Sequence, residues 1–108
     1  MSLVVTDFDG VIVVNVTGED CSQVWKAVET QVKDGRQAVV VDLAQVPFLN
    51  SVNIAALIAV RNKLAANGGR MAICNLQEPI KAVFRILKLE RLFDLNLDRL
   101  NAVAILRR

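Results

Sequence analysis

Apolar and polar residues change period several times along the chain, and each change marks an element. Leu3-Val4-Val5 and Val11-Ile12-Val13-Val14 are β-rich runs with Asp9-Gly10 between them. Asp-Gly is a favoured two-residue hairpin turn, because both central positions tolerate positive φ. The second run continues through Val16 and ends at Gly18. The period then lengthens. Val24, Trp25, Val28 and Val32 recur at helical spacing, with Gln23, Lys26, Glu29 and Lys33 on the other side. Asp20 or Ser22 can cap this helix, and Lys33 and Gly35 mark its end. Ala38-Val39-Val40-Val41 is next, a short continuous apolar run. Such a run is typical of a strand covered on both faces or in the middle of a sheet.

Residues 52–66 read as a helix that is apolar almost all round. Ile54, Leu57, Ile58 and Leu64 give a bulky arc, and Ala55, Ala59 and Ala66 a stripe of small residues. A helix of this kind is buried on most sides or docks a partner. Arg61 falls among the bulky residues, where its stem packs and its head snorkels. Asn67-Gly68-Gly69 ends the helix, and Arg70 to Cys74 is a further strand. Pro79 suits the first turn of another helix, with Ile80, Val83, Phe84 and Leu87 expected on its inner face and Lys81, Arg85 and Lys88 on its outer one. Leu95-Asn96-Leu97 is expected as a last short strand, and Asp98 as the cap of a terminal helix. The order predicts one α/β domain over residues 1–108. Its mixed sheet has four to five strands, starts with a β-hairpin and is packed with about four helices.

Composition narrows the function classes. Of 108 residues, 54% are hydrophobic and 22% charged, enough for a real core and contrary to disorder. No apolar run is long enough to span a bilayer, and the longest, IAALIAV, meets Arg61, Asn62 and Lys63 at once. The N-terminus carries Asp7 and Asp9 and no basic start, so no signal peptide is expected. A net charge of +2 gives no case for nucleic acid. Cys21 and Cys74 form neither a metal spacing nor a disulfide framework, which favours a cytosolic protein. Histidine and tyrosine are absent, removing the commonest general base and the commonest metal ligand. No cofactor, metal or membrane insertion is expected.

Three local signals are weaker than they look. Asp7-Phe8-Asp9-Gly10 resembles the nucleophile motif of haloacid-dehalogenase-type phosphatases, in which the first Asp attacks phosphorus. Here the residues after Gly10 read as the return strand of a hairpin, and no later acidic pair completes a magnesium site. Asn67-Gly68-Gly69 lacks the strand-to-helix setting of a phosphate-binding loop. Lys81, Arg85, Lys88 and Arg91 lack interleaved aromatics and read as a solvated face, and Cys74 reads as a small core residue.

Ser51 carries more. It sits in PFLNSVNIAAL, between a buried strand and a buried helix. Its bland role is an N-cap, with its oxygen accepting an orphan N–H. Its sharper role is that of a phosphoacceptor. A phosphate there would meet unpaired N–H groups and the positive end of the helix dipole. It would also add about −1.5 to −2 charges to a neutral, partly apolar surface. Asn53 reads simply as a polar first-turn residue.

These residues resemble the STAS family, and most closely its single-domain anti-anti-sigma factors. The resemblance lies in Val39-Val40-Val41-Asp42-Leu43, Val46-Pro47-Phe48-Leu49-Asn50-Ser51-Val52-Asn53, Gly68 through Cys74, and Pro79 through Phe84, Leu89 and Phe93. Val16-Thr17-Gly18-Glu19 resembles the family's Thr-Gly-Glu at the end of the second strand. The resemblance implies a regulatory module without catalysis. The unphosphorylated domain binds an anti-sigma factor, often a serine kinase. Phosphorylation of Ser51 breaks the complex, and a phosphatase restores it. The docking surface so implied comprises Asn50, Val52, Asn53 and Ala55 with Glu19 and Asp20. The chain departs from the family pattern at Asn50, where an Asp is usual, at Val52, often Ser or Ala, at Asn53, where a Gly is usual, at Cys21, where an Asp is expected two residues after Glu19, and at Leu87-Lys88, where a Ser/Thr-Gly is usual. The departures leave open a second reading, a phosphorylation-independent adaptor in a signalling or lipid-transport complex.

Overall fold

A computed structural model describes residues 2–8, 10–17, 21–33 and 37–107. Four strands form one sheet in the order β1 (Ser2–Phe8), β2 (Val11–Thr17), β3 (Ala38–Gln45), β4 (Arg70–Cys74). β1 and β2 are an antiparallel hairpin with Phe8 opposite Val11. The Asp7 carboxylate accepts the Gly10 N–H at 3.0 Å, and Gly10 has φ 87°. Asp7 is therefore part of the turn the sequence predicts; Asp9 lies outside the described residues. β2–β3 and β3–β4 are parallel, joined through α1 (Val24–Lys33) and α2 (Ser51–Ala66).

The alternation of the strands explains the apolar run in β3. Val39, Val41 and Leu43 join Ile12, Val14 and Val16 in a core roofed by Val24 and Val28 of α1, Leu57 and Leu64 of α2, and Ile80 and Phe84 of α3 (Glu78–Ile86). Val40 points the other way, with Val11, Val13 and Ala72, under Ala102, Val103 and Leu106 of α4 (Arg99–Leu106). Both faces of the sheet are covered, so an unbroken valine run suits it. α4 begins at Asp98, whose carboxylate accepts the Asn101 N–H at 2.8 Å, as expected.

α2 ends in a Schellman turn: the Gly68 N–H reaches Ala65 O at 3.1 Å and the Gly69 N–H reaches Leu64 O at 2.7 Å. Its outward apolar residues are mostly small. Ile54, Leu57, Val60 and Leu64 are buried, while Val52, Ala55 and Ala59 face solvent.

Two expectations fail. Leu95-Asn96-Leu97 is not a strand. The Asp94 carboxylate accepts the Asn96 N–H at 2.9 Å and turns the chain, Leu95 is buried in the core, and Leu97 O takes the Asn75 N–H at 2.8 Å without a strand ladder forming. The inner face of α3 is narrower than expected. Ile80 and Phe84 are buried, with Phe84 packed on Phe93, but Val83 and Leu87 are exposed. The helix stops at Ile86 and the chain reverses at Lys88, with φ 59°, before a 3-10 turn at Leu89–Arg91. Leu89 and Leu92 then pack against the core beside Phe93, leaving the flank of α3 uncovered.

Candidate functional site at the start of helix α2

The cap of α2 is Asn50, not Ser51. Asn50 is extended, with φ −85° and ψ 173°, and its side-chain oxygen accepts the Asn53 N–H at 2.9 Å. Asn50 O accepts the Ile54 N–H at 3.0 Å, closing the first helical turn. The reason lies on either side. Leu49 and Ile54 are both buried in the same core cluster, the N′ and N4 positions of a hydrophobic staple around Asn50. A cap one residue later would rotate the first turn by about 100° and carry Ile54 out of the core.

Ser51 is thus the first helical residue and is exposed. Among the described residues of this turn its apolar neighbours are exposed. Val52 is 70% exposed and Phe48, in the preceding loop, 52%. Pro47 and Ala55 are also exposed, and no acidic residue lies in the first turn. The N–H groups of Ser51 and Val52 precede any possible i−4 carbonyl of the helix. A charge on the Ser51 hydroxyl would therefore sit at the positive end of the helix dipole.

Asn53 turns inward instead of lining that surface. It is 7% exposed. Its Oδ1 accepts the Cys21 N–H at 2.7 Å, and its Nδ2 donates to Asn50 Oδ1 at 3.0 Å. Cys21 is buried, and stranding a buried N–H costs about 1–3 kcal/mol. Asn53 therefore joins α2 to the connection between β2 and α1. Asn50 and Asn53, two of the positions at which the chain departs from the pattern it resembles, are thus bonded to each other. Glu19 and Asp20 lie outside the described residues, immediately before Cys21.

A second polar cluster at this end of the sheet gives no signal in sequence spacing. Asp42, near the end of β3, is buried. Its Oδ2 accepts Arg99 Nε at 2.9 Å, with Arg99 Nη2 in ion-pair contact at 2.9 Å; its Oδ1 accepts the Ala44 N–H at 3.0 Å and Asn75 Nδ2 at 3.2 Å. Asn75 has φ 58°, and this left-handed turn lets its backbone N–H reach Leu97 O as its side chain reaches Asp42. The cluster ties β3, the β4–α3 loop and α4 together. Cys74 lies beside it: burial foremost, and then the Asp42 charge, push its thiol up to about 12. Such a thiol stays protonated and behaves as a core residue.

The other candidates remain apart from Ser51. Lys81 pairs with Glu78 at 3.6 Å across one turn of α3, and Arg85, Lys88 and Arg91 are exposed. Among the described residues no cluster of His, Cys, Asp and Glu could hold a metal, and no helix is long and apolar enough to cross a membrane.

The comparisons agree with this architecture. The STAS domain family model matches residues 2–102. A protein of Bordetella bronchiseptica named as an anti-sigma factor antagonist, BtrV, is 24% identical over 90 residues, covering 80% of this chain and 78% of its own. The crystal structure of an anti-sigma factor antagonist from Mycobacterium paratuberculosis superposes with TM-score 0.81 at 28% identity, over 99% of this chain and 94% of that one. A Thermotoga maritima structure, also named as an anti-sigma factor antagonist, gives TM-score 0.82 at 16% identity, over 98% and 95% of the two chains. The antiparallel hairpin, the parallel β2–β3–β4 crossovers and the helices on both faces are those of a STAS domain, and the chain belongs to that family.

Proposed function

We propose that the protein is an anti-sigma factor antagonist. It docks an anti-sigma factor of the serine-kinase type through the face around Ser51 and lets go when Ser51 is phosphorylated, until a phosphatase removes the group. The observation that carries this reading is the position of the hydroxyl. Ser51 is exposed at the first residue of α2, bordered by exposed Val52, Ala55 and Phe48 and by no acidic residue in that turn. A dianion there gains from the helix dipole, while it spoils an apolar docking face by desolvation cost. The names of the Bordetella and Mycobacterium relatives support the partner class. Incubation with the cognate anti-sigma kinase and ATP, followed by intact mass and peptide mapping, is the test. One phosphoryl group on Ser51 is expected; none, or one elsewhere, overturns the switch.

One observation favours a second reading, constitutive docking. The residue before Ser51 is a carboxamide committed to capping, not a carboxylate that a kinase could read. An adaptor of this kind would hold its partner equally well with Ser51→Ala and regardless of ATP.

A further inference from the structure

We infer that Asn53 is a positioning residue, which locks the start of α1 to the first turn of α2 so that the two segments flanking the Ser51 face move as one unit. The inference rests on the reading of Ser51 as the centre of that face, and it takes Asn53 out of the contact surface.

The argument is one of donors and acceptors. Asn50 Oδ1 is already the acceptor for the Asn53 backbone N–H. Anything on residue 53 that meets this oxygen must therefore donate. On its other side residue 53 meets the Cys21 N–H, which requires an acceptor. A carboxamide has both groups on one rigid plane, and the network fixes which way it faces. Aspartate would keep the bond to Cys21 and set oxygen against oxygen at Asn50. Alanine, or the glycine usual in the family, would leave the buried Cys21 N–H without this acceptor. Cys21 passes the constraint on, because its own carbonyl accepts the Val24 N–H at 3.2 Å at the start of α1. The chain Asn50–Asn53–Cys21–Val24 thus runs from one side of Ser51 to the adjoining helix.

The experiment uses the protein alone, by nuclear magnetic resonance. A through-hydrogen-bond coupling between the Cys21 nitrogen and Asn53 Cγ is expected in the unmodified protein, and its absence overturns the inference without any variant. In Asn53→Asp and Asn53→Ala, Cys21 amide exchange should quicken by about tenfold or more while Val40 and Val41 keep their protection. Asn50→Asp should leave Cys21 protected, since a carboxylate accepts both Asn53 donors. Unchanged Cys21 exchange in the Asn53 variants, or an equal loss at Val40 and Val41, overturns the inference. A kinase that ignores Ser51 would sink the proposed function and leave this result standing.

Discussion

Asn50 Oδ1 accepts two donors from Asn53, the backbone N–H at 2.9 Å and the side-chain Nδ2 at 3.0 Å. This relationship frees Ser51 from capping. Three substitutions should separate the roles in urea unfolding. Asn50→Ala loses the cap and should cost about 1 kcal/mol. Asn50→Asp keeps both bonds and adds a negative charge at the helix start, so it should gain about 0.3–1 kcal/mol. Ser51→Ala should stay within about 0.5 kcal/mol of the parent. A loss at Ser51 as large as that at Asn50 would return the capping role to the serine.

Arg99→Ala should be among the more damaging single changes at the ends of the sheet. It removes the ion-pair partner of the buried Asp42 carboxylate and the Nε donor, leaving the Ala44 N–H and Asn75 Nδ2. Hydrogen bonds to a charged group are each worth about 1.5–3 kcal/mol, and Arg99 is partly solvated, so a loss of about 2–3 kcal/mol is expected. Asp42→Asn combined with Arg99→Ala should cost less than the sum of the two single changes, because no buried charge is left unpaired. Strict additivity in the double-variant cycle would contradict the coupling.

Gly69→Ala should destabilise more than a typical surface change. A Cβ at residue 69 would stand 2.5 Å from Gln37 O and 3.1 Å from Leu64 O, both backbone atoms that cannot swing away. Gln37 O also accepts the Arg70 N–H at 2.7 Å, so yielding there disturbs the start of β4. Strain of this kind costs about 1–3 kcal/mol. A melting temperature equal to that of the parent would mean that the turn is looser than described.

The sheet was legible because its faces follow period two and its crossovers follow period 3.6. The valines of β3 alternate between the two cores, so an unbroken apolar run meant cover on both faces. The start of α2 was less legible, because Asn and Ser are equally good caps and stand side by side. A signal was present nonetheless: Leu49 and Ile54 bracket Asn50 at staple spacing, whereas a cap at Ser51 would be bracketed by Asn50 and Ala55. The inward turn of Asn53 and the Asp42–Arg99 pair had no such signal. Their partners lie 32 and 57 residues away, and only the fold brings them together.

Stability should fall in alkali partly through Cys74. Its thiol is held at about 12 in the fold against an ordinary 9.0, foremost by burial. The folded state therefore retains a proton that the unfolded state gives up. This contribution is fully present below about pH 9 and is lost as pH rises toward 12. Cys74→Ala removes it, so the stability gap between parent and variant should narrow over that window. No tyrosine complicates the titration. A constant gap from pH 8 to 11 would contradict the assignment.

The central claim is that the state of residue 51 governs docking. It is tested most directly by the affinity of the cognate anti-sigma factor for two forms of this protein, one with Ser51 bare and one with phosphoserine installed at that position. The phosphorylated form should bind at least about tenfold more weakly, a difference of about 1.4 kcal/mol, and phosphatase treatment should restore the parent value. Equal affinity of the two forms would contradict the account and leave the constitutive adaptor in its place.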